Sequence, residues 1–363
     1  MPARPPNIFY IVLDDYGGRR AMKDLLGFDN EPFLDALRAR GFTVPAQPSA
    51  NYARSSMSLA SSLNLDYLQD LLQLPLDEQD TAVPLEGLIQ HAAAPSFLQA
   101  HGYRYIHIGS WWGATSRVAE ADENVVLQGT VQEVAARLRV ALPEPGPDEP
   151  IGKYLWDRRE WLRIQFQFEQ VAKRAGDGGP DFVFAHILSP HLPSVFDPEG
   201  NFRGPAEATK RGPAGAYTDD LQAVNAKTLA LIDTLQAVPS SRRPVIILQS
   251  DEGYNVGTRD AHGDSPDAVL EQHFGILEAY DLPGLASTGV YPTFTPVNLF
   301  RVLFRRLLRS RPGAAARPEL RVPGLPAPVR VPGRDRPGGR VAVAEAVRRG
   351  AGAAPGRRQN RLG

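Results

Sequence analysis

The sequence predicts an α/β fold, a three-layer sandwich in which a central, mainly parallel mixed sheet lies between helices. Two stretches carry most of that expectation. Ile8-Phe9-Tyr10-Ile11-Val12-Leu13 runs into Asp14-Asp15, and Val245-Ile246-Ile247-Leu248-Gln249-Ser250 runs into Asp251-Glu252. Continuous apolar, β-branched runs of this length are what parallel strands buried on both faces look like. A third run, Asp181 to Leu188 (DFVFAHIL), ends in Ser189-Pro190-His191. Helix-patterned segments separate the three, which is the βαβ alternation of a parallel sheet.

The remaining elements follow in chain order. Glu31 to Arg40 has the helical spacing of Phe33, Leu34 and Leu37, and Phe42-Thr43-Val44 reads as a short strand. Ser55 to Leu63, small and mildly apolar, reads as a helix start. Leu85, Leu88 and Ile89 open another helix, which Pro95 is expected to interrupt before a last turn stops at His101-Gly102. Tyr103 to Ile108 alternates as a strand does. Pro143 to Pro150 (PEPGPDEP) is a loop, Trp156 to Arg174 a long amphipathic helix, and Tyr217 to Ala237 a helix leading toward the Asp251 strand.

Composition narrows the function. The chain has 363 residues, a formal charge of −1 and no cysteine. Disulfides, zinc thiolates and cysteine nucleophiles are thereby excluded, as is a sulfatase whose catalytic aldehyde comes from cysteine. No apolar run reaches the roughly 20 residues of a membrane span, and Met1 to Pro6 does not resemble a signal peptide. A soluble, cytoplasmic protein is the expectation as the chain is written. From Arg305 onward 15 arginines face three acids. Residues 309–363, rich in Arg, Pro, Gly and Ala and without periodicity, are expected to form a disordered tail behind one domain spanning 1–308. Such a tail could attract nucleic acid or anionic lipid, but no specific nucleic-acid partner is expected.

The chemistry concentrates at strand ends, where open α/β sheets place ligands. Asp14, Asp15, Asp251 and Glu252 together would repel one another unless a cation held them, although each alone also suits a cap or a turn. Between them in the chain lies Asn51-Tyr52-Ala53-Arg54-Ser55-Ser56-Met57-Ser58-Leu59-Ala60-Ser61-Ser62-Leu63-Asn64. A hydroxyl at a helix N-terminus sits among free N–H groups at the positive end of the dipole, which suits an oxygen nucleophile meeting a phosphate or sulfate ester; an N-capping serine has the same appearance. Arg54 could clamp a tetrahedral oxyanion. His191 follows a strand and is a candidate ligand or oxyanion contact. His186 and His107 lie within strands and read as core histidines, His262 and His273 as surface ones. Trp111-Trp112 could wall a pocket or simply pack.

In this order, Pro6 to Asp14, the Asn51–Asn64 segment, Ser189-Pro190-His191-Leu192-Pro193, Asp251-Glu252-Gly253, Phe274-Gly275-Ile276-Leu277 and Tyr291 to Asn298 resemble the sulfatase-like hydrolase/transferase branch of the alkaline phosphatase superfamily. The resemblance implies a metal-dependent hydrolase or transferase acting on phosphate, less readily sulfate, esters through a covalent serine. It implies Ser55 as nucleophile, with Ser56 as its neighbouring alternative. It implies Asp14 and Asp251 as metal ligands, Asp15 and Glu252 as further ones, and Arg54 and His191 on the substrate side. Glu252 stands where many relatives have histidine, and this more anionic set favours Mn²⁺, Mg²⁺ or Ca²⁺, with Zn²⁺ admissible. The aldehyde-forming Cys/Ser-x-Pro-x-Arg motif is missing. The expected substrate is a small-molecule or lipid-headgroup phosphoester. The rival expectation is a catalytically inactive member that binds an anionic ligand or partner.

Overall fold

Six strands build one sheet in the order β3-β2-β4-β1-β5-β6, with β1 (Ile8–Leu13), β2 (Arg104–Ile108), β3 (Glu123–Val125), β4 (Asp181–Ile187), β5 (Val245–Gln249) and β6 (Glu278–Asp281). The first five are parallel and β6 closes one edge antiparallel to β5. The computed structural model describes residues 5–72, 82–142, 144–254, 266–283 and 290–309. Of the tail expected over 309–363, Arg309 ends the helix Leu299–Arg309, and residues 310–363, like His262, lie outside the described residues. The three apolar runs become β1, β4 and β5, side by side at the centre. Every residue of each is buried, as a strand covered on both faces requires.

Strand register sorts the side chains into two unlike faces. Phe9, Ile11, Leu13, Val183, Ala185, Ile187, Ile246 and Leu248 form one apolar core with Phe33, Leu37, Leu162, Leu221 and Val224. Those helix residues come from Glu31–Ala39, Ile151–Lys173 and Pro213–Gln236. The opposite face carries Tyr10, His107, His186, Gln249, Glu278 and Tyr280, in register along five strands. Phe300, from the helix Leu299–Arg309, closes this face by packing edge-on against Tyr10 at 5.2 Å. One face thus supplies cohesion while the other carries the buried polar groups.

Three local readings are corrected. Phe42–Val44 forms no strand: only Thr43 bridges, exchanging hydrogen bonds with Tyr280 at 2.8 and 3.0 Å, because Pro45 and Pro48 lack the N–H donors that would extend a ladder. Pro95 does not interrupt a helix. The break lies at His91-Ala92, and Pro95 occupies the first turn of Ala93–Ala100, where its missing N–H would have had no partner anyway. The helix expected from Trp156 begins at Ile151, just after Pro150.

Glu278 is the costliest member of the polar face. It is fully buried beside the Tyr280 hydroxyl, and burial, outweighing the pull of that hydroxyl, holds its pKa well above the ordinary value of 4.5. Below that value the folded and unfolded chains both hold the proton. As pH rises past it the unfolded chain releases the proton and the folded chain does not, so stability falls. Glu278→Gln cannot ionise and is expected to be more stable than wild type at neutral pH by about 1–3 kcal/mol. In urea titrations the difference should close as pH approaches 4.5.

Candidate active site

The carboxyl ends of the three central strands converge on one point. Asp14 follows β1, Asp251 follows β5 after Ser250, and His186 is the penultimate residue of β4. His186 pairs with Val12, two residues before Asp14, and Gln249, two before Asp251, pairs with that same Val12. With side chains alternating in direction, all three point to the polar face. His186 Nε2 lies 3.6 Å from Asp14 Oδ2 and 3.5 Å from Asp251 Oδ2.

Asp14, His186 and Asp251 are buried, with at most 2% exposure. Neither His186 Nε2 nor Asp251 Oδ2 has a hydrogen-bond partner. Two ligand atoms about 2.1 Å from a shared ion at a tetrahedral angle stand roughly 3.4 Å apart, so the spacing and the nitrogen-plus-carboxylate donor set fit a divalent cation. A second group, Asp14, Asp15 and Glu252, also brings one ligand atom from each residue within 4.8 Å of the others. Asp14 is common to both groups.

Asp15 reaches its place through a backbone that only a few residue types tolerate. Its φ is 59°, in the left-handed region that aspartate enters more readily than most. Tyr217 holds the turn: its hydroxyl donates to the Asp15 carbonyl at 2.7 Å and accepts from Gly17 N–H at 3.1 Å. The turn after β5 is equally confined. Glu252 N–H donates to Asp251 Oδ1 at 3.0 Å, and a Cβ on Gly253 would lie 2.1 Å from the Gln272 carbonyl. Only glycine fits there.

Ser55 opens the helix Ser55–Asn64, after an extended Arg54. Its hydroxyl donates to Glu252 Oε1 at 3.0 Å and lies 3.5 Å from Asp14 Oδ1. Its backbone N–H also donates to Glu252. The half-buried hydroxyl therefore sits between both acidic pairs at the positive end of a helix. Arg54 is exposed at the mouth, close enough to pull the Glu252 pKa downward. His191 N–H donates to the Asp14 carbonyl at 3.2 Å. The His191 Nδ1–H donates to the Leu192 carbonyl at 2.6 Å, leaving Nε2 as the acceptor of the neutral ring. Burial lowers its pKa against the pull of Asp251.

Four buried carboxyls cannot all ionise in one place. Burial first, and then Asp251, Asp15 and Glu252, hold the Asp14 pKa well above the carboxylate range. Burial and Asp251 push Glu252 up to about 8. Burial acts on Asp251 in the same direction, but His186 and Ser55 outweigh it and hold that group below its usual value. Negative charge collects on Asp251 while its neighbours retain protons that a cation would displace.

Six of the seven residues singled out in the sequence, Asp14, Asp15, Ser55, His191, Asp251 and Glu252, lie in this cluster, and Arg54 stands at its edge. His186, read as a core histidine, lies inside it. Its place in β4 hid it, and the signal that could have revealed it is parity: in the register of parallel strands it occupies the same face as Asp14. His107 is a core histidine as expected, fully buried, bonded to the Thr115 carbonyl at 2.8 Å and lowered by burial to about 4. Both tryptophans pack: Trp112 lies edge-on to His186 at 5.7 Å and Trp111 edge-on to Trp156 at 5.9 Å.

This mixed sheet flanked by helices is the fold of solved sulfatase and phosphoethanolamine transferase domains. Structures sharing it include a 2-O GAG sulfatase, with a TM-score of 0.51 and 12% identity over 86% of this chain and 72% of that one. The integral membrane lipooligosaccharide phosphoethanolamine transferase A of Neisseria meningitidis has a TM-score of 0.51 and 14% identity over 84% of this chain and 55% of that one. The C-terminal periplasmic domain of EptC from Escherichia coli, in complex with zinc, has a TM-score of 0.50 and 13% identity over 82% and 81%. The sequence matches no protein-family model and no curated protein. Among the described residues, no helix is long and apolar enough to cross a membrane.

Proposed function

We propose that this protein is a metal-dependent hydrolase or transferase acting on phosphoesters, with Ser55 as the nucleophile. The observation that carries the reading is the position of the Ser55 hydroxyl, 3.0 Å from Glu252 at a helix N-terminus and beside the Asp14–His186–Asp251 group. Asp14, His186 and Asp251 would hold a divalent cation, with Asp15 and Glu252 completing its surroundings. That ion would supply charge neutralisation and lower the pKa of the serine hydroxyl. The imidazole shifts the preference among cations away from Ca²⁺ and Mg²⁺ and toward Mn²⁺ or Zn²⁺. The zinc complex of the E. coli EptC domain supports a divalent ion in this fold.

In the proposed reaction Ser55 Oγ attacks phosphorus as the ester oxygen leaves, and Glu252 takes the hydroxyl proton across their 3.0 Å hydrogen bond. In the loaded site, where the cation would have displaced its proton, the Glu252 carboxylate would be able to take up the proton of the serine. The N-terminal N–H groups of the Ser55 helix and the Arg54 guanidinium would orient the phosphoryl oxygens. The neutral His191 ring, with Nε2 as its acceptor, would accept a hydrogen bond from the entering water or alcohol. Water or an acceptor alcohol then frees the serine by the reverse sequence.

Phosphate is favoured over sulfate because positions 57 and 59 are Met and Leu, where the aldehyde-forming motif needs Pro and Arg. A lipid-headgroup substrate has the support of the phosphoethanolamine transferase among the structural neighbours. The cytoplasmic placement expected from the N-terminus is not carried forward, since the E. coli EptC domain of like fold is periplasmic. The test is turnover of aryl phosphates, phosphodiesters and sulfate esters by protein loaded with Mn²⁺ or Zn²⁺, repeated after chelation, together with intact mass during turnover. Expected are phosphoester cleavage that chelation abolishes and a phosphoryl adduct on Ser55. Turnover that is indifferent to chelation, or preferred cleavage of sulfate, would refute the proposal.

A further inference from the structure

Behind His186, on the side away from the carboxylates, a short chain of hydroxyls leads into the loop after β2. His186 Nδ1 lies 3.0 Å from Thr115 Oγ1, and Thr115 Oγ1 lies 2.8 Å from Ser110 Oγ. Ser110 Oγ accepts from Trp112 N–H at 3.0 Å and faces the Trp112 carbonyl at 3.4 Å. Thr115 is fully buried and Ser110 is 7% exposed. The loop holds them firmly. The Thr115 carbonyl accepts from Ser110 N–H at 2.9 Å and from the His107 ring at 2.8 Å, and a Cβ on Gly109 would lie 2.2 Å from the Ser116 carbonyl.

We infer that Thr115 and Ser110 are positioning residues that let His186 exchange its tautomer when the site takes up a cation. The inference rests on the metal reading given under Proposed function. Two arrangements of hydrogens satisfy the chain. In the first, Ser110 O–H donates to Thr115 and Thr115 O–H donates to a bare His186 Nδ1, so the ring proton sits on Nε2 and faces Asp14 and Asp251 at 3.6 and 3.5 Å. In the second, His186 Nδ1–H donates to Thr115, Thr115 donates to Ser110, and Ser110 donates to the Trp112 carbonyl. Nε2 is then bare and available as a ligand. Both arrangements hold one ring proton and two hydroxyl protons. In passing from the first to the second the ring gives up its Nε2 proton on the carboxylate side and takes one up at Nδ1 from water. The two hydroxyls turn about without changing their proton count, and Ser110 accepts from Trp112 N–H in both.

A hydroxyl is the group that can serve both arrangements, because it donates and accepts. A carbonyl or carboxylate in the place of Thr115 would lock the proton on Nδ1, and an amide N–H would lock it on Nε2. Partners behind a ligating histidine commonly control metal affinity by 10- to 100-fold.

The test titrates the intact protein with Mn²⁺ and, separately, Zn²⁺ by calorimetry, and follows the His186 ring nitrogens by NMR. Thr115→Val keeps the shape and removes the hydroxyl, whereas Thr115→Ser keeps the hydroxyl. Expected are a roughly 10- to 100-fold loss of affinity in the first, near wild-type affinity in the second, and no added loss from Thr115→Val in a His186→Ala background. In wild type the ring proton should pass from Nε2 to Nδ1 on cation addition. Wild-type affinity in Thr115→Val, equal losses in the Val and Ser variants, or a loss that persists without His186 would each overturn the relay. If wild type binds neither cation, or His186→Ala binds as wild type does, it is the metal reading that fails, and the relay falls with it.

Discussion

Ser55→Ala should eliminate phosphoester turnover, with a loss on the order of 10⁴-fold or more and no phosphoryl adduct in the mass spectrum. The size of the effect follows from the chemistry: a methyl group cannot attack phosphorus, and removing a nucleophile collapses a two-step pathway into a direct attack for which the site is not arranged. Ser56 is the built-in control. It adjoins Ser55 in the chain, yet the hydrogen bonds to Glu252 and Asp14 belong to Ser55. Ser56→Ala should therefore keep turnover within a few-fold of wild type. The decisive measurement is single-turnover cleavage of an aryl phosphate with cation affinity measured alongside, since Ser55→Ala should still bind the ion. Equal inactivity of wild type and Ser55→Ala on every ester would remove the catalytic claim and favour a binding protein on the same fold.

Asp251→Asn should remove cation binding, with a loss on the order of 10²-fold or more, larger than partners behind a ligand typically produce. Asp251 is fully buried, belongs to the group with Asp14 and His186, and is the carboxyl held below its ordinary pKa. An amide of the same shape withdraws that charge. Denaturant unfolding gives a second readout. A cation at 100 times its Kd should stabilise wild type by about 2.7 kcal/mol through mass action, and the same concentration should stabilise Asp251→Asn by about 0.4 kcal/mol or less. The pH dependence has a definite sign. Asp14 is held well above the carboxylate range and Glu252 near 8, so an entering ion must displace protons from them. Apparent affinity should rise as pH increases toward 8. Affinity that stays flat or falls over that range would mean these carboxyls do not face the ion.

The parts of the fold visible in the sequence were those with local signatures. β1, β4 and β5 were legible because burial on both faces demands uninterrupted apolar runs, and the helix Glu31–Ala39 because its spacing is periodic. The short edges were not. Glu123–Val125 is three residues long, and Glu278–Asp281 reads Glu-Ala-Tyr-Asp, with acids where a strand would ordinarily place apolar residues. Both are held by pairing with neighbours that no local window contains. The site divides in the same way. Asp14, Asp251 and Ser55 stand at element ends, where residue type and position speak together. His186 becomes a site residue only through register with Val12, a relation between positions 174 residues apart. Thr115 is remoter still, since its role exists only behind His186.

The placement of β1 between β4 and β5 has a consequence for the chain as it is synthesised. β1 emerges from the ribosome first, yet its partners begin at Asp181 and Val245. Its apolar faces must wait for most of the polypeptide, and no early fragment holds Asp14, His186 and Asp251 together. A cation held as proposed by Asp14, His186 and Asp251 would load only after β4 and β5 have paired with β1, rather than nucleate that pairing. A bound ion would certify that the central strands have found their order, and a mispaired sheet would betray itself by failing to load.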